Sequence, residues 1–297
     1  MNKLCLALWV VVILGTHNLL AQDTLNSSTL KQLPLQEVNS YVPDTLEMKI
    51  KTRRYAQNIT YVKAMVKQDT YTAEQAKRRG VKQLYLAKLI FQEENETVLM
   101  LKGTPYLSNN PLVRFVYKSD GGKKLSLTAY NNVGKHAEQS VVIKDDPRTK
   151  KFSLSATPAE NAITTSINDK AIYAYFGDVK LIPSDKIQLV GPELASNGGA
   201  VPIAVRFRIE AKTVTLFAME EKGTTKMIAQ WILYKQTLVD FQIKIKLDSY
   251  SFYGESTVEN YDGSIYPANA VSVVVEGLDG KYYIATIAVE VAIAGGN

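Results

Sequence analysis

PLVRFVYKSDGGKKLSLTAYNNVGKHAEQSVVIKD, residues 111–145, decides the fold class. Three strand-like runs follow one another in it. They are broken first by Asp120-Gly121-Gly122 and then by Asn131-Asn132-Val133-Gly134. Those breakers supply the positive-φ positions that tight hairpins need. Short runs of alternating apolar and polar residues between closely spaced turn signals are the pattern of a β-sandwich.

The same pattern extends in both directions. Upstream, LEMKIKTRRY (46–55) and ITYVKAMVK (59–67) alternate, while YLAKLIF (85–91) and TVLMLKG (97–103) flank the polar turn QEENE (92–96) as a hairpin. One interruption, TAEQAKRRGVKQLYLAK (72–88), opens on Thr72 and Gln75, which form a capping box. Gly80 stops any long helix there, so a short helical turn or loop precedes it and a strand follows Gln83. Downstream, residues 151–170 are small, polar and aperiodic and read as a linker, with a short helix at KAIYAYFG (170–177). Strands then resume at 186–191, 200–209, 213–221, 227–234, 239–247, 272–277 and 281–293. Leu278-Asp279-Gly280-Lys281 makes an Asp-Gly hairpin between the last two. The expected architecture is all-β, two Ig-like sandwiches spanning 46–147 and 176–297, joined by a linker with a short helix over 148–175. No internal repeat is legible.

The first residues read as an export signal. Lys3 precedes an apolar run, Leu4–Leu14, too short to span a bilayer, and Ala21 before Gln22 is a plausible cleavage position. The expectation is a cleaved signal peptide over 1–21, a polar leader over 22–45, and a periplasmic or secreted mature chain without a transmembrane segment. Cys5, the one cysteine among 297 residues, falls in the signal, so an exported product makes no disulfide. His17 falls there too and leaves His136, which excludes a zinc site of the usual kind. No metal or cofactor is expected.

Charge is unevenly distributed. Residues 46–150 carry 20 Lys and Arg against 10 Asp and Glu, whereas residues 151–297 carry 13 against 16. The basic half invites an anion, a membrane surface or an acidic partner, or it faces the acidic half and is partly neutralised. Nothing in the sequence is a nucleic-acid motif.

Catalytic motifs are absent. There is no G-x-S-x-G, H-E-x-x-H, phosphate-binding glycine loop or C-x-x-C. His136 adjoins a turn and has no nameable acid–base partner. Trp231, Tyr282 and Tyr283 lie in strand-like runs and read as packing or surface positions. Asn58 and Asn95 head short glycosylation sequons of the kind that arise by chance. By residue chemistry the protein binds or carries and is no enzyme.

Several stretches resemble a known family. SDKIQLVGPELASNGGAVPIAVRF (184–207) is similar to the start of the SoxY sulfur-carrier domain, with Pro192, Glu193, Ala195, Asn197, Gly198, Val201 and Pro202 at the matching places. GKYYIATIAVEVAIAGGN (280–297) resembles the last SoxY hairpin, which runs into a Gly-Gly-Cys-Gly-Gly arm. The earlier half resembles the partner subunit SoxZ, through MKIKTRRYAQNITYVKAMVK (48–67) and through Asn110, Pro111 and Phe115. The chain is therefore similar to a SoxZ–SoxY fusion of the thiosulfate-oxidation (Sox) sulfur-carrier family.

The resemblance implies a periplasmic carrier that holds sulfur intermediates covalently on an arm cysteine and presents them to enzymes in turn. A few glycines, at no more than about 3.6 Å each, extend such an arm roughly 10–15 Å. This chain departs from the family at that point: Gly295 and Gly296 match the arm, and Asn297 stands at the cysteine position. A carboxamide forms no persulfide. VKQDTYTAEQ (66–75) also lacks the family's His-Pro-Met-like segment, and GTTKMI (223–228) replaces its Asn-Pro pattern. Two readings follow. One is a Sox carrier-like protein, its arm cysteine lost or missing from this sequence. The other is a divergent periplasmic scaffold or protein-binding module without sulfur chemistry, which docks on Sox-type enzymes or pairs with a cysteine-bearing SoxY homologue.

Overall fold

The computed structural model describes residues 46–55, 58–144, 162–163, 169–219, 225–234, 240–247, 257–259, 265–267 and 269–292. The expected signal and leader lie outside these residues, as does most of the expected linker.

The first half follows the turn chemistry of its sequence. β1 (Glu47–Tyr55) and β2 (Ile59–Lys67) pair antiparallel along their whole lengths. Alternation turns Val62, Ala64 and Val66 inward. Helix α1 (Ala73–Arg79) begins on the expected capping box: Gln75 N donates to Thr72 Oγ1 at 3.2 Å and Thr72 N donates to Gln75 Oε1 at 3.1 Å. It stops at Gly80, whose φ of +65° is the left-handed cap that favours glycine. β3 (Leu86–Glu93) and β4 (Glu96–Gly103) are joined by Glu94 and Asn95, both at positive φ (47° and 75°), as a twisted two-residue hairpin requires. The three runs of residues 111–145 become β5 (Leu112–Lys118), β6 (Lys124–Asn131) and β7 (His136–Val142).

The second half opens with β8 (Ala162–Ile163), α2 (Asp169–Phe176), β9 (Leu181–Pro183), β10 (Ile187–Val190) and β11 (Leu194–Ala195). β8 lies within the stretch read as linker, yet it pairs with the last strand. After a 3-10 turn at Gly198–Ala200 come β12 (Val201–Phe207), β13 (Ala211–Met219), β14 (Thr225–Leu233) and β15 (Asp240–Ile245). A small pair, β16 (Thr257–Glu259) and β17 (Ile265–Pro267), precedes β18 (Asn269–Gly277) and β19 (Tyr282–Val291). Ile172 of α2 packs on Phe217 and Val274, so this helix covers a patch of sheet.

Two large sheets result. One runs β1-β2-β5-β15-β12-β10 and the other β7-β6-β3-β4-β14-β13-β18-β19-β11, with β8 and β9 added on β19. Each half is thus three strands facing four or more, the layering of an Ig-like sandwich. The halves are joined edge to edge in both layers. β4 pairs antiparallel with β14 from Gly103↔Ala229 to Leu99↔Leu233, and β5 meets β15 at Arg114↔Gln242.

Strand order mirrors about this seam. β1, β2, β5 on one side answer to β10, β12, β15 on the other, and β4, β3, β6, β7 to β14, β13, β18, β19. Equivalent strands meeting antiparallel is the arrangement of a two-fold contact, here between unlike halves. The repeat exists in topology alone, which is why residues do not reveal it.

The main apolar cluster of the described residues runs through both halves. Phe91 meets Phe115 across the layers edge-on at 4.7 Å in the first half, and Trp231 stacks on Phe241 at 5.4 Å in the second. Trp231 is fully buried and lies on β14 opposite Leu101, beside the seam. Polar contacts also cross. Lys246 N donates to Tyr106 O at 2.7 Å, Thr104 Oγ1 to Ile228 O at 2.8 Å, and Lys246 Nζ to Gln75 Oε1 at 3.0 Å and to the carbonyl of Thr70. Burial lowers the Lys246 ammonium from its ordinary value to about 8.

Candidate functional site

β19 carries the chain toward the arm positions, and residues 184–207 hold its end. β11 lies parallel to it, Leu194 beside Glu290 and Ala195 beside Val291. Glu290 N donates to Glu193 O at 2.7 Å and Ala292 N to Ala195 O at 2.8 Å, so the last described residue is tied to the Pro-Glu-x-Ala segment. Ala195 is buried beneath it, whereas Glu193, Leu194 and Glu290 are exposed.

The residues after β11 hold the clamp shut. Asn197 Oδ1 accepts from Gly199 N at 2.8 Å and caps the 3-10 turn. Leu247 N donates to Gly198 O at 2.8 Å. A Cβ on Gly198 would sit 2.3 Å from Leu247 O and 3.0 Å from Val291 Cγ1. Glycine is therefore required because backbone meets backbone at the arm's root. Gly191 differs, because its neighbours are movable side-chain ends: a Cβ there would lie 2.8 Å from Ile287 Cδ1 and 2.9 Å from Ile203 Cδ1. Val201 is buried and paired with Ile245, while Pro192 and Pro202 line a groove of about 410 Å³ on the outer face of the six-stranded sheet.

The structure thus brings Glu193, Ala195, Asn197 and Gly198 together around the end of β19. Gly295, Gly296 and Asn297 lie outside the described residues. In the first half, Asn110 takes a φ of +50° and donates to Gln68 O at 2.8 Å, Pro111 O accepts from Val66 N at 3.1 Å, and Phe115 is buried in the core. Those three are structural. His136 opens β7, exposed and stacked on Tyr130 at 5.7 Å. Tyr282 and Tyr283 are half-buried on β19. Among the described residues, no group of three or more His, Cys, Asp and Glu could hold a metal ion.

One polar cluster escapes a reading by motif. Glu93 is 4% exposed; it accepts from Ser119 Oγ and from Tyr117 Oη at 3.2 Å, with Lys123 Nζ at 3.5 Å. Burial and the neighbouring carboxylate drive the Tyr117 hydroxyl far above its ordinary range, so it stays a donor. The cluster pins the β5–β6 turn to the β3–β4 hairpin. The signal was present: Leu89, Phe91 and Glu93 fall on one face by strand alternation.

Two family models divide the chain in the same way. The family model described as sulphur oxidation protein SoxZ matches residues 48–142, and that described as sulfur oxidation protein SoxY matches residues 172–270. No curated protein matches the chain. Among solved structures, the sulfur carrier protein SoxY from Chlorobium limicola f thiosulfatophilum is 24% identical and covers 44% of this chain and 100% of its own, with a TM-score of 0.33. A superoxide reductase (neelaredoxin) from Ignicoccus hospitalis is 11% identical over 36% of this chain and 80% of its own, with a TM-score of 0.27.

Proposed function

We propose, for a chain that joins a SoxZ domain to a SoxY domain in one polypeptide, the role of an exported sulfur-oxidation carrier whose arm has lost its covalent handle. The observation that carries this reading is the clamp at the end of β19. Gly198 leaves no room for a side chain, and backbone hydrogen bonds hold Glu290 and Ala292 to the SoxY-like segment. Such an anchor suits an arm that must leave a rigid body in a fixed direction.

The arm itself presents Asn297 where the family has cysteine, and Cys5, the one cysteine, lies in the expected signal. A thiolate is the nucleophile in sulfur transfer, and a carboxamide cannot replace it. On this reading the mature protein, released from its signal into the periplasm or beyond, docks on Sox-type enzymes or beside a cysteine-bearing SoxY homologue and is not itself an enzyme. Among the described residues no helix is long and apolar enough to cross a membrane.

Competition tests it. Purified protein added in excess to a thiosulfate-oxidising mixture driven by a cysteine-bearing carrier slows turnover, and its own intact mass stays unchanged. A sulfur adduct on this chain, or turnover indifferent to its presence, contradicts the proposal.

A further inference from the structure

The outer face of the six-stranded sheet sets like charges side by side. Strand register puts Lys51 opposite Lys63, Lys63 opposite Arg114, and Arg114 opposite Gln242. Lys49 and Arg53 flank this row on β1, and Lys118 lies on the same face of β5. Side chains directly opposite on neighbouring strands lie about 5 Å apart, where like charges destabilise a sheet. Among the described residues, Glu47 pairs with Lys67 and Asp240 with Arg206, and neither reaches the row. Folding alone gives no reason to keep three cations abreast.

The row ends in a groove. Beyond Arg114 it continues as Gln242, Ala204 and Val190. These line the groove of about 410 Å³ together with Leu112, Pro202 and Lys244. Arg114 Nη1 donates to Gln242 Oε1 at 3.0 Å, which fixes the guanidinium at the groove's edge, and its Nε is buried without a partner.

We propose that this face docks an extended acidic segment of a partner protein, with carboxylates on Lys51, Lys63 and Arg114 and apolar side chains in the groove. Charge complementarity selects an acidic partner, and the apolar end selects a peptide over a bare ion. Neighbouring strands lie about 4.8 Å apart, so the six strands span roughly 24 Å, the length of about seven extended residues. A lipid surface would meet a concavity here, and single-stranded nucleic acid would find Tyr61 and Tyr55 on this face but no aromatic side chain in the row from Lys51 to Val190 itself. The inference is separate from the sulfur-carrier reading and survives its failure.

The test uses the mature protein and a dye-labelled peptide of three glutamates, a glycine and three valines, followed by fluorescence anisotropy at low salt. The peptide binds, and added salt weakens it. Lys63→Glu lowers affinity tenfold or more while raising the thermal midpoint, because it relieves repulsion with Lys51 and Arg114. Ala204→Trp fills the groove and also weakens binding, with charge unchanged. Lys82→Glu, elsewhere on the surface, leaves affinity as it was. Equal binding of a peptide with lysines in place of the glutamates overturns the proposal. So does indifference to Lys63→Glu, or binding of phosphatidylglycerol vesicles but not of the peptide.

Discussion

Gly198 shows how one residue ties the fold to the proposed role. Its missing side chain lets the Leu247 carbonyl and Val291 approach within a distance that a Cβ would occupy. Gly198→Ala must therefore push backbone apart at the arm's root, at a cost of about 1–3 kcal/mol by analogy with overpacked cores. We expect a lowered thermal midpoint and faster hydrogen exchange at the Ala292 amide, with amides of the first half, such as Val113, unaffected. Loss of stability with the Ala292 amide still protected would separate this glycine from the arm. The residues of this clamp were legible as a segment resembling SoxY, but their purpose was not. A glycine followed by another glycine reads as a turn, and only tertiary contact shows that the first is a point of close approach. Glu93 is the opposite case, since its inward position follows from strand alternation, yet its partners Tyr117, Ser119 and Lys123 come from another strand and the turn after it.

Elements with local signals are legible in the sequence and those fixed by distant partners are not. The capping box and Gly80 define α1, and Glu94-Asn95 and Asp279-Gly280 define hairpins, because each carries its own backbone chemistry within a few residues. β8 and β11 are two residues long and exist only because β19 offers an edge. The pairing of β4 with β14 is likewise invisible in sequence, since both strands read as ordinary members of separate sandwiches. Lys246 makes that junction testable. It reaches from the segment after β15 to Thr70 before α1 and Gln75 within it, with Arg79 and Asp69 as its charged neighbours. Its folded pKa, about 8, lies below its ordinary 10.5, so between those values the unfolded chain binds more protons and stability rises with pH. Urea unfolding from pH about 8 to about 10 should show this rise, and Lys246→Met should flatten it. An identical slope in both proteins would place the lysine's charge outside the folding equilibrium.

At the scale of the molecule, two halves of unlike sequence share one core and both sheets. The sequence predicts two sandwiches, and its charge asymmetry allows them to face each other, but the mirrored edge-to-edge seam is not legible in it. Continuous sheets and a buried Trp231 beside the junction predict a single cooperative unfolding transition. Far-UV dichroism and tryptophan fluorescence should then report the same midpoint. Two separated transitions would mean halves that merely touch. The same rigid body is what would carry an arm, so on the proposed reading the covalent handle at position 297 is what separates this chain from a working carrier. Intact mass of the Asn297→Cys variant, beside the unaltered protein, after incubation with thiosulfate and Sox-type oxidising enzymes tests this most directly. A sulfur adduct is expected on the variant and none on the unaltered chain. An adduct on the unaltered chain, or none on a folded variant, would contradict that reading.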